Sequence, residues 1–130
     1  MTITAAQIIQ FVETNREEAL KCLIEIIQTP SVTGEEEAVS HVFTRWMERE
    51  GLTVSRHQAV EGRPNLLAEW HGSQRGKRFV LNGHMDVFPP DAKDSGPYGP
   101  WAGKIVDGKL YGRGAADMKG GDCGALMAVL

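Results

Sequence analysis

Val80-Leu-Asn-Gly-His84-Met-Asp86-Val87 reads as an apolar strand that delivers a histidine and an aspartate at its C-terminal end, just ahead of Pro89 and Pro90. In extended backbone, residues i and i+2 point to the same side, so this spacing lets His84 and Asp86 approach each other. A carboxylate beside an imidazole fixes the ring tautomer and raises its basicity, the usual support for a zinc-bound histidine. The pair also resembles the orienting half of a nucleophilic triad. A surface strand end carrying two polar residues is an equal reading of this segment taken alone.

Working outward, the neighbouring segments place that strand in an α/β chain. Leu52-Thr-Val-Ser, Asn65-Leu-Leu-Ala-Glu-Trp and Arg78-Phe-Val-Leu read as strands, with a loop over 72–76. Upstream of them, Thr4 and Gln7 have capping-box spacing, and Asn15 with Glu18 repeats it as a second helix start. Ala19, Leu20, Leu23, Ile24, Ile26 and Ile27 then form a helical apolar face that Pro30 ends. Thr33 and Glu36 predict the cap of the next helix, whose buried stripe is Ala38, Val39, Val42, Phe43, Trp46 and Met47, closed by Gly51. Packing accounts for Trp46 and Met47 without any function. Downstream, Ile105-Val-Asp-Gly-Lys-Leu-Tyr111 is a hairpin signal, and the small apolar run from Met118 to Leu130 predicts a tightly packed helix. The expected fold is α/β, a mixed sheet with flanking helices.

A second motif follows that hairpin: Tyr111-Gly-Arg-Gly-Ala-Ala-Asp117-Met-Lys-Gly-Gly121. A dinucleotide-binding loop needs a third glycine where Asp117 stands, and a carboxylate there would repel a pyrophosphate. An acid in that place suits a cation better, because aspartate oxygens bind zinc and can bridge two ions. A helix N-terminal acid favoured by the macrodipole explains Asp117 equally, though not the glycines around it.

Composition excludes several classes. The chain has 130 residues, 42% of them apolar, and a net charge of −3, against a protein that lives on nucleic-acid phosphates. It has no apolar run long enough for a bilayer crossing, and its N-terminus lacks the basic flank and apolar block of a signal peptide. Cys22 and Cys123, far apart in sequence, suit a reducing compartment better than a disulfide framework, so the expected location is the cytoplasm. Cys123 reads as a packing residue. His41, His57 and His71 read as surface or locally satisfied groups, and Arg113 and Lys119 suit either a substrate carboxylate or packing.

Together, Asn82-Gly-His84-Met-Asp86-Val-Phe-Pro-Pro90 and Asp107-Gly-Lys-Leu-Tyr-Gly-Arg-Gly-Ala-Ala-Asp117-Met-Lys-Gly-Gly121 resemble the zinc metallopeptidase family of acetylornithine deacetylase, succinyl-diaminopimelate desuccinylase, aminoacylase and glutamate carboxypeptidase. The likeness is weak before residue 64 and dense from 80 to 125. It implies His84 as a terminal ligand to one zinc, Asp117 as the bridge between two ions, and Asp86, counted among the catalytic residues, as the group that orients His84. It also implies a cis Asp117–Met118 peptide. The cofactors it implies are two divalent ions, zinc first, with cobalt or manganese as alternatives. The implied substrates are N-acyl amino acids or small peptides, hydrolysed at an amide, and members are often homodimers.

The chain departs from that family in what it lacks. The family's adjacent glutamates, its further acid and its late histidine have no counterpart in 130 residues, nor does its lid or dimerisation domain. Glu35, Glu36 and Glu37 open a helix and do not replace the glutamate pair. With an uncapped apolar run at Leu130, the expectation is the N-terminal portion (1–130) of a metallohydrolase catalytic domain, inactive alone. The alternative is a non-catalytic remnant or association partner that retains half of the metal site.

Overall fold

The computed structural model describes residues 3–91, 93 and 96–129. Helix α1 (Ala5–Gln28) starts at the predicted capping box: Gln7 N–H donates to the Thr4 hydroxyl and Gln7 Oε1 accepts from Thr4 N–H at 2.9 Å. The predicted second start at Asn15 is not there. Asn15 Nδ2 donates instead to the Phe11 carbonyl within one continuous helix, so its side chain serves the preceding turn. Helix α1 stops at Thr29, one residue before Pro30, as expected.

Helix α2 (Glu37–Arg49) begins without the predicted cap. Glu36 occupies the N-cap position with no side-chain cap bond, and the Thr33 hydroxyl is drawn to a partner far along the chain. Val39, Val42, Phe43 and Trp46 are buried as the stripe predicted, Met47 half so, while Ala38 lies exposed at the edge of the face. Gly51 takes the left-handed cap conformation at φ +81°. Trp46 Nε1 donates to Glu25 Oε2 at 2.7 Å and Arg49, stacked over the Trp46 ring, donates to Glu18 Oε2 at 2.6 Å, fastening α2 to α1.

Strands β1 (Thr53–Val60) and β2 (Arg63–Glu69) form an antiparallel hairpin with a bulge between Gln58 and Val60. Strands β3 (Lys104–Val106) and β4 (Lys109–Tyr111) form the second hairpin. Its two-residue turn has both Asp107 (φ 49°) and Gly108 (φ 72°) in the left-handed region that such a turn requires. Among the described residues, the parallel component is a single bridge between Val32 and Val87. The predicted strand at 78–81 has no ladder among the described residues; Phe79 and Val80 are 84% and 71% exposed. A strand is defined by its neighbours, and this segment has none there to bond.

A kinked π-type turn, Ala115–Lys119, leads into α3 (Gly120–Val129). The predicted helix therefore starts two residues later than Met118, because Asp117 and Met118 have non-helical dihedrals; Leu130 lies outside the described residues. The core lies where α1, α2, α3 and the β1–β2 hairpin meet, built on Cys22, Ile26, Val39, Phe43, Trp46 and Leu126. Cys22 and Cys123 meet there as buried free thiols; Cys123 donates to the Ala19 carbonyl at 3.3 Å, and the neighbouring Cys123 thiol together with burial raises the Cys22 thiol well above its usual range. No described helix is long and apolar enough to cross a membrane.

Candidate metal centre

Residues 85–87 are held in place by 31–33, the stretch between α1 and α2. Val87 N–H donates to the Ser31 carbonyl at 2.9 Å, and Thr33 N–H donates to the Val87 carbonyl at 3.2 Å. Ser31, fully buried, adds a hydroxyl bond to the Met85 carbonyl at 2.9 Å. The strand end carrying His84 and Asp86 is therefore fixed by its neighbour even though 78–81 is not.

On the other side, the Gly114 turn brings Asp117 to the same place. Asp117 Oδ1 lies 3.2 Å from His84 Nε2, while His84 Nδ1 faces the Asp86 carbonyl at 3.0 Å and Asp86 Oδ1 at 3.4 Å. The sequence reading put the Asp86 carboxylate against the ring; the backbone oxygen of the same residue is the nearer acceptor. Both ring nitrogens thus have assigned tasks. With Nδ1 donating to the Asp86 carbonyl, Nε2 faces the Asp117 carboxylate oxygen, donating to it when the ring is protonated and offering a lone pair when the ring is neutral. The Asp117–Met118 peptide is cis, as the family likeness implied.

The charges follow this geometry. The Asp86 carbonyl lifts the His84 imidazole above its usual value, partial burial opposes it, and the Asp117 and Asp86 carboxylates add to the rise. The Thr33 hydroxyl, donating to Asp86 Oδ2 at 2.7 Å, holds the Asp86 carboxyl below the usual range against its partial burial. Behind Asp86, the buried Glu36 carboxylate binds Arg63 (Nε at 2.9 Å, Nη2 at 2.8 Å) and accepts from Gly34 N–H at 3.0 Å. Burial alone would raise Glu36; Arg63 and Gly34 outweigh it and hold it low.

Two groups at the N-terminus of α3 complete the surroundings. Lys119 is fully buried and donates to the carbonyls of Ile26 (2.8 Å) and Thr29 (3.1 Å) at the end of α1, so it ties helices together and does not face a substrate. Burial lowers it to about 8, with the Asp122 charge opposing. Asp122 sits against Gly83 so closely that a Cβ there would lie 1.9 Å from its Oδ1, which explains the glycine before His84. Burial pushes Asp122 up to about 6, with His84 and Lys119 opposing, and its Oδ2 has no hydrogen-bond partner among the described residues.

His84 and Asp117 could hold a metal ion, the two donors of the sequence motifs brought together from opposite sides. Their 3.2 Å separation is close to the edge of a tetrahedron with arms of about 2.0–2.1 Å, so the pair fits one zinc. Among the described residues, no three His, Cys, Asp or Glu side chains converge as a ligand set. His41 pairs with Glu37 on the exposed face of α2, His57 with Ser55 on β1, and His71 lies exposed beyond β2.

The sequence profile of peptidase family M20/M25/M40 matches residues 80–130, the stretch holding both motifs. The succinyl-diaminopimelate desuccinylase of Methylorubrum extorquens is 40% identical over 109 residues, covering 81% of this chain and 28% of that protein. That of Cereibacter sphaeroides is 37% identical over 97 residues, 75% of this chain and 25% of that protein. The crystal structure of human carnosine dipeptidase 1 matches with a TM-score of 0.69 at 32% identity, over 92% of this chain and 29% of that one. This chain belongs to peptidase family M20/M25/M40. It spans less than a third of the length of these relatives. The family profile takes in His84, Asp86 and Asp117 but begins after Thr33, Glu36 and Arg63. No local signal pointed to those three: each reaches the site across the fold.

Proposed function

We propose that this chain is the N-terminal portion (1–130) of a metallohydrolase catalytic domain that cleaves an amide in N-acyl amino acids or small peptides. His84 and Asp117 serve as metal ligands and Asp86 orients His84. The observation that carries the reading is His84 Nε2 at 3.2 Å from Asp117 Oδ1 with Nδ1 occupied by Asp86. A pair of divalent ions, zinc first and cobalt or manganese as alternatives, would lower the pKa of bound water and polarise the scissile carbonyl. Asp86 keeps the Nδ1 proton in place, so that the neutral ring offers Nε2, and Asp117 offers one oxygen on the His84 side with the other free for a second ion. The substrate class follows the desuccinylase and dipeptidase relatives, and a cytoplasmic location follows the reduced, buried cysteines.

Two donors do not make a complete site, so zinc binding by the purified chain is weak and it hydrolyses no amide. Calorimetric titration with Zn²⁺ tests this: saturable binding that His84→Ala abolishes supports the reading, and binding unchanged in His84→Ala refutes it. Zinc-dependent hydrolysis by the 130-residue chain, lost in His84→Ala, would overturn its inactivity. The exposed Phe79, Val80 and Leu81 favour a second reading, an association partner that contributes its half-site to another chain. A monodisperse monomer at high concentration, by sedimentation, counts against self-association as that role.

A further inference from the structure

We infer that Thr33 is a positioning residue for the metal centre: its hydroxyl turns the Asp86 carboxylate so that Oδ1 faces His84 Nδ1 alongside the Asp86 carbonyl, and the two oxygens together favour the Nδ1 proton and leave Nε2 toward Asp117. The inference rests on the proposed roles of His84 and Asp86. A carboxylate turns readily about its last torsion, which is broad and two-fold, so a single partner does not fix its direction. Here Oδ2 takes the Thr33 hydroxyl proton at 2.7 Å, which leaves Oδ1 on the His84 side, 3.4 Å from Nδ1.

Three further observations make this a built arrangement. The Thr33 backbone is itself held in register by its N–H bond to the Val87 carbonyl, inside the parallel Val32–Val87 bridge. The hydroxyl is consequently aimed by the same bonds that hold the strand end carrying Asp86. Glu36 holds the Arg63 guanidinium through both Nε and Nη2, and the Glu36 side chain is only 6% exposed. Thr33 is thus the partner that Asp86 takes, while Arg63 is engaged elsewhere. Finally, Thr33 is not used as a helix cap, the task its spacing to Glu36 suggested; the hydroxyl is committed to Asp86.

Thr33→Val keeps the shape and removes only the hydroxyl, whereas Thr33→Ser keeps the hydroxyl. Partners that orient a ligating histidine typically change metal affinity about 10- to 100-fold. The expected result is a fall of about 10-fold in Zn²⁺ affinity for Thr33→Val, with Thr33→Ser within about 3-fold of wild type, and unchanged far-UV circular dichroism in both. A second readout needs no metal. ¹⁵N spectra of the His84 ring are expected to report mainly the Nδ1–H tautomer in the wild type and in Thr33→Ser, and a larger share of Nε2–H in Thr33→Val, where the Asp86 carbonyl alone holds the Nδ1 proton. Thr33→Ala serves as a further hydroxyl-free variant should the valine disturb the turn. Wild-type affinity and a wild-type tautomer in both hydroxyl-free variants would overturn the inference while leaving the proposed function intact. Zinc binding that survives His84→Ala would instead overturn the reading of the site itself, and the inference with it.

Discussion

Gly114 sits at the hinge that delivers Asp117, and its replacement by alanine separates two costs cleanly. Its φ is +81°, and a Cβ built there would lie 2.4 Å from a Val87 methyl and 3.3 Å from Lys119 Cδ. The left-handed conformation costs a non-glycine residue about 1–2 kcal/mol. Forcing a methyl into a packed contact costs about 1–3 kcal/mol more. Gly51 is the internal control: its φ is also +81°, but nothing lies within 4 Å of its Cβ position. Gly51→Ala should therefore cost only the conformational part, about 1–2 kcal/mol, and Gly114→Ala about 2–5 kcal/mol. Urea unfolding followed by circular dichroism measures both, and their difference is the crowding against Val87 and Lys119. Val87 neighbours Asp86, so that crowding must move either the strand end or the turn. Equal losses in the two variants would refute the close approach of this turn to the strand.

Three further perturbations probe the same surroundings. Lys119→Met removes the donor to the Ile26 and Thr29 carbonyls; it should destabilise by about 1–3 kcal/mol in urea, less than two charged hydrogen bonds because burial of the ammonium is relieved. A variant as stable as wild type would mean those carbonyls find other donors. Glu36 has its carboxyl held below the usual 4.5 in the fold, so the native state binds fewer protons than the unfolded chain. Its contribution is present above about 4.5 and disappears as pH falls through the folded value; Glu36→Gln should lose about 1–2 kcal/mol at neutral pH and show a shallower acid decline below 4.5. Parallel stability curves for the two proteins would contradict this. Gly83→Ala should cost about 1–3 kcal/mol by driving a methyl into Asp122 Oδ1, and Asp122→Ala should recover most of that loss in a double-mutant cycle. Additive losses would show that the two residues are not in contact.

What the sequence made legible was local. The Thr4 capping box, the stop before Pro30 and the Asp107-Gly108 turn are decided by residues within a few positions of one another, and each is found where expected. His84 and Asp86 were readable for the same reason, being two apart on one strand, and Asp117 because its glycines frame it. Thr33 was misread as a cap because its competing partner, Asp86, lies far along the chain, and the charged-acceptor bond at 2.7 Å prevails over a local amide. Glu36 and Arg63 lay hidden behind the same distance. Asp122 stands in the first turn of α3, and only the approach of Gly83 reveals that its carboxylate is enclosed. Cys22 and Cys123 gave no sign that they would meet, since neither helix announces the face it turns to the other.

The segment at 78–81 carries the remaining disagreement, and it bears on the site. Phe79-Val-Leu81 is apolar at consecutive positions, so both faces of the extended chain are apolar, the pattern of a strand covered on both sides. Among the described residues those faces are exposed, whereas further along the same segment Val87 is buried against the 31–33 stretch. The candidate site therefore stands at the junction between a segment end anchored by main-chain bonds to 31–33 and an exposed apolar segment with no ladder partner among the described residues. The 31–33 anchor fixes the end that carries His84 and Asp86, and the Gly114 turn brings Asp117 from the other side, which is how His84 Nε2 and Asp117 Oδ1 come within 3.2 Å of each other.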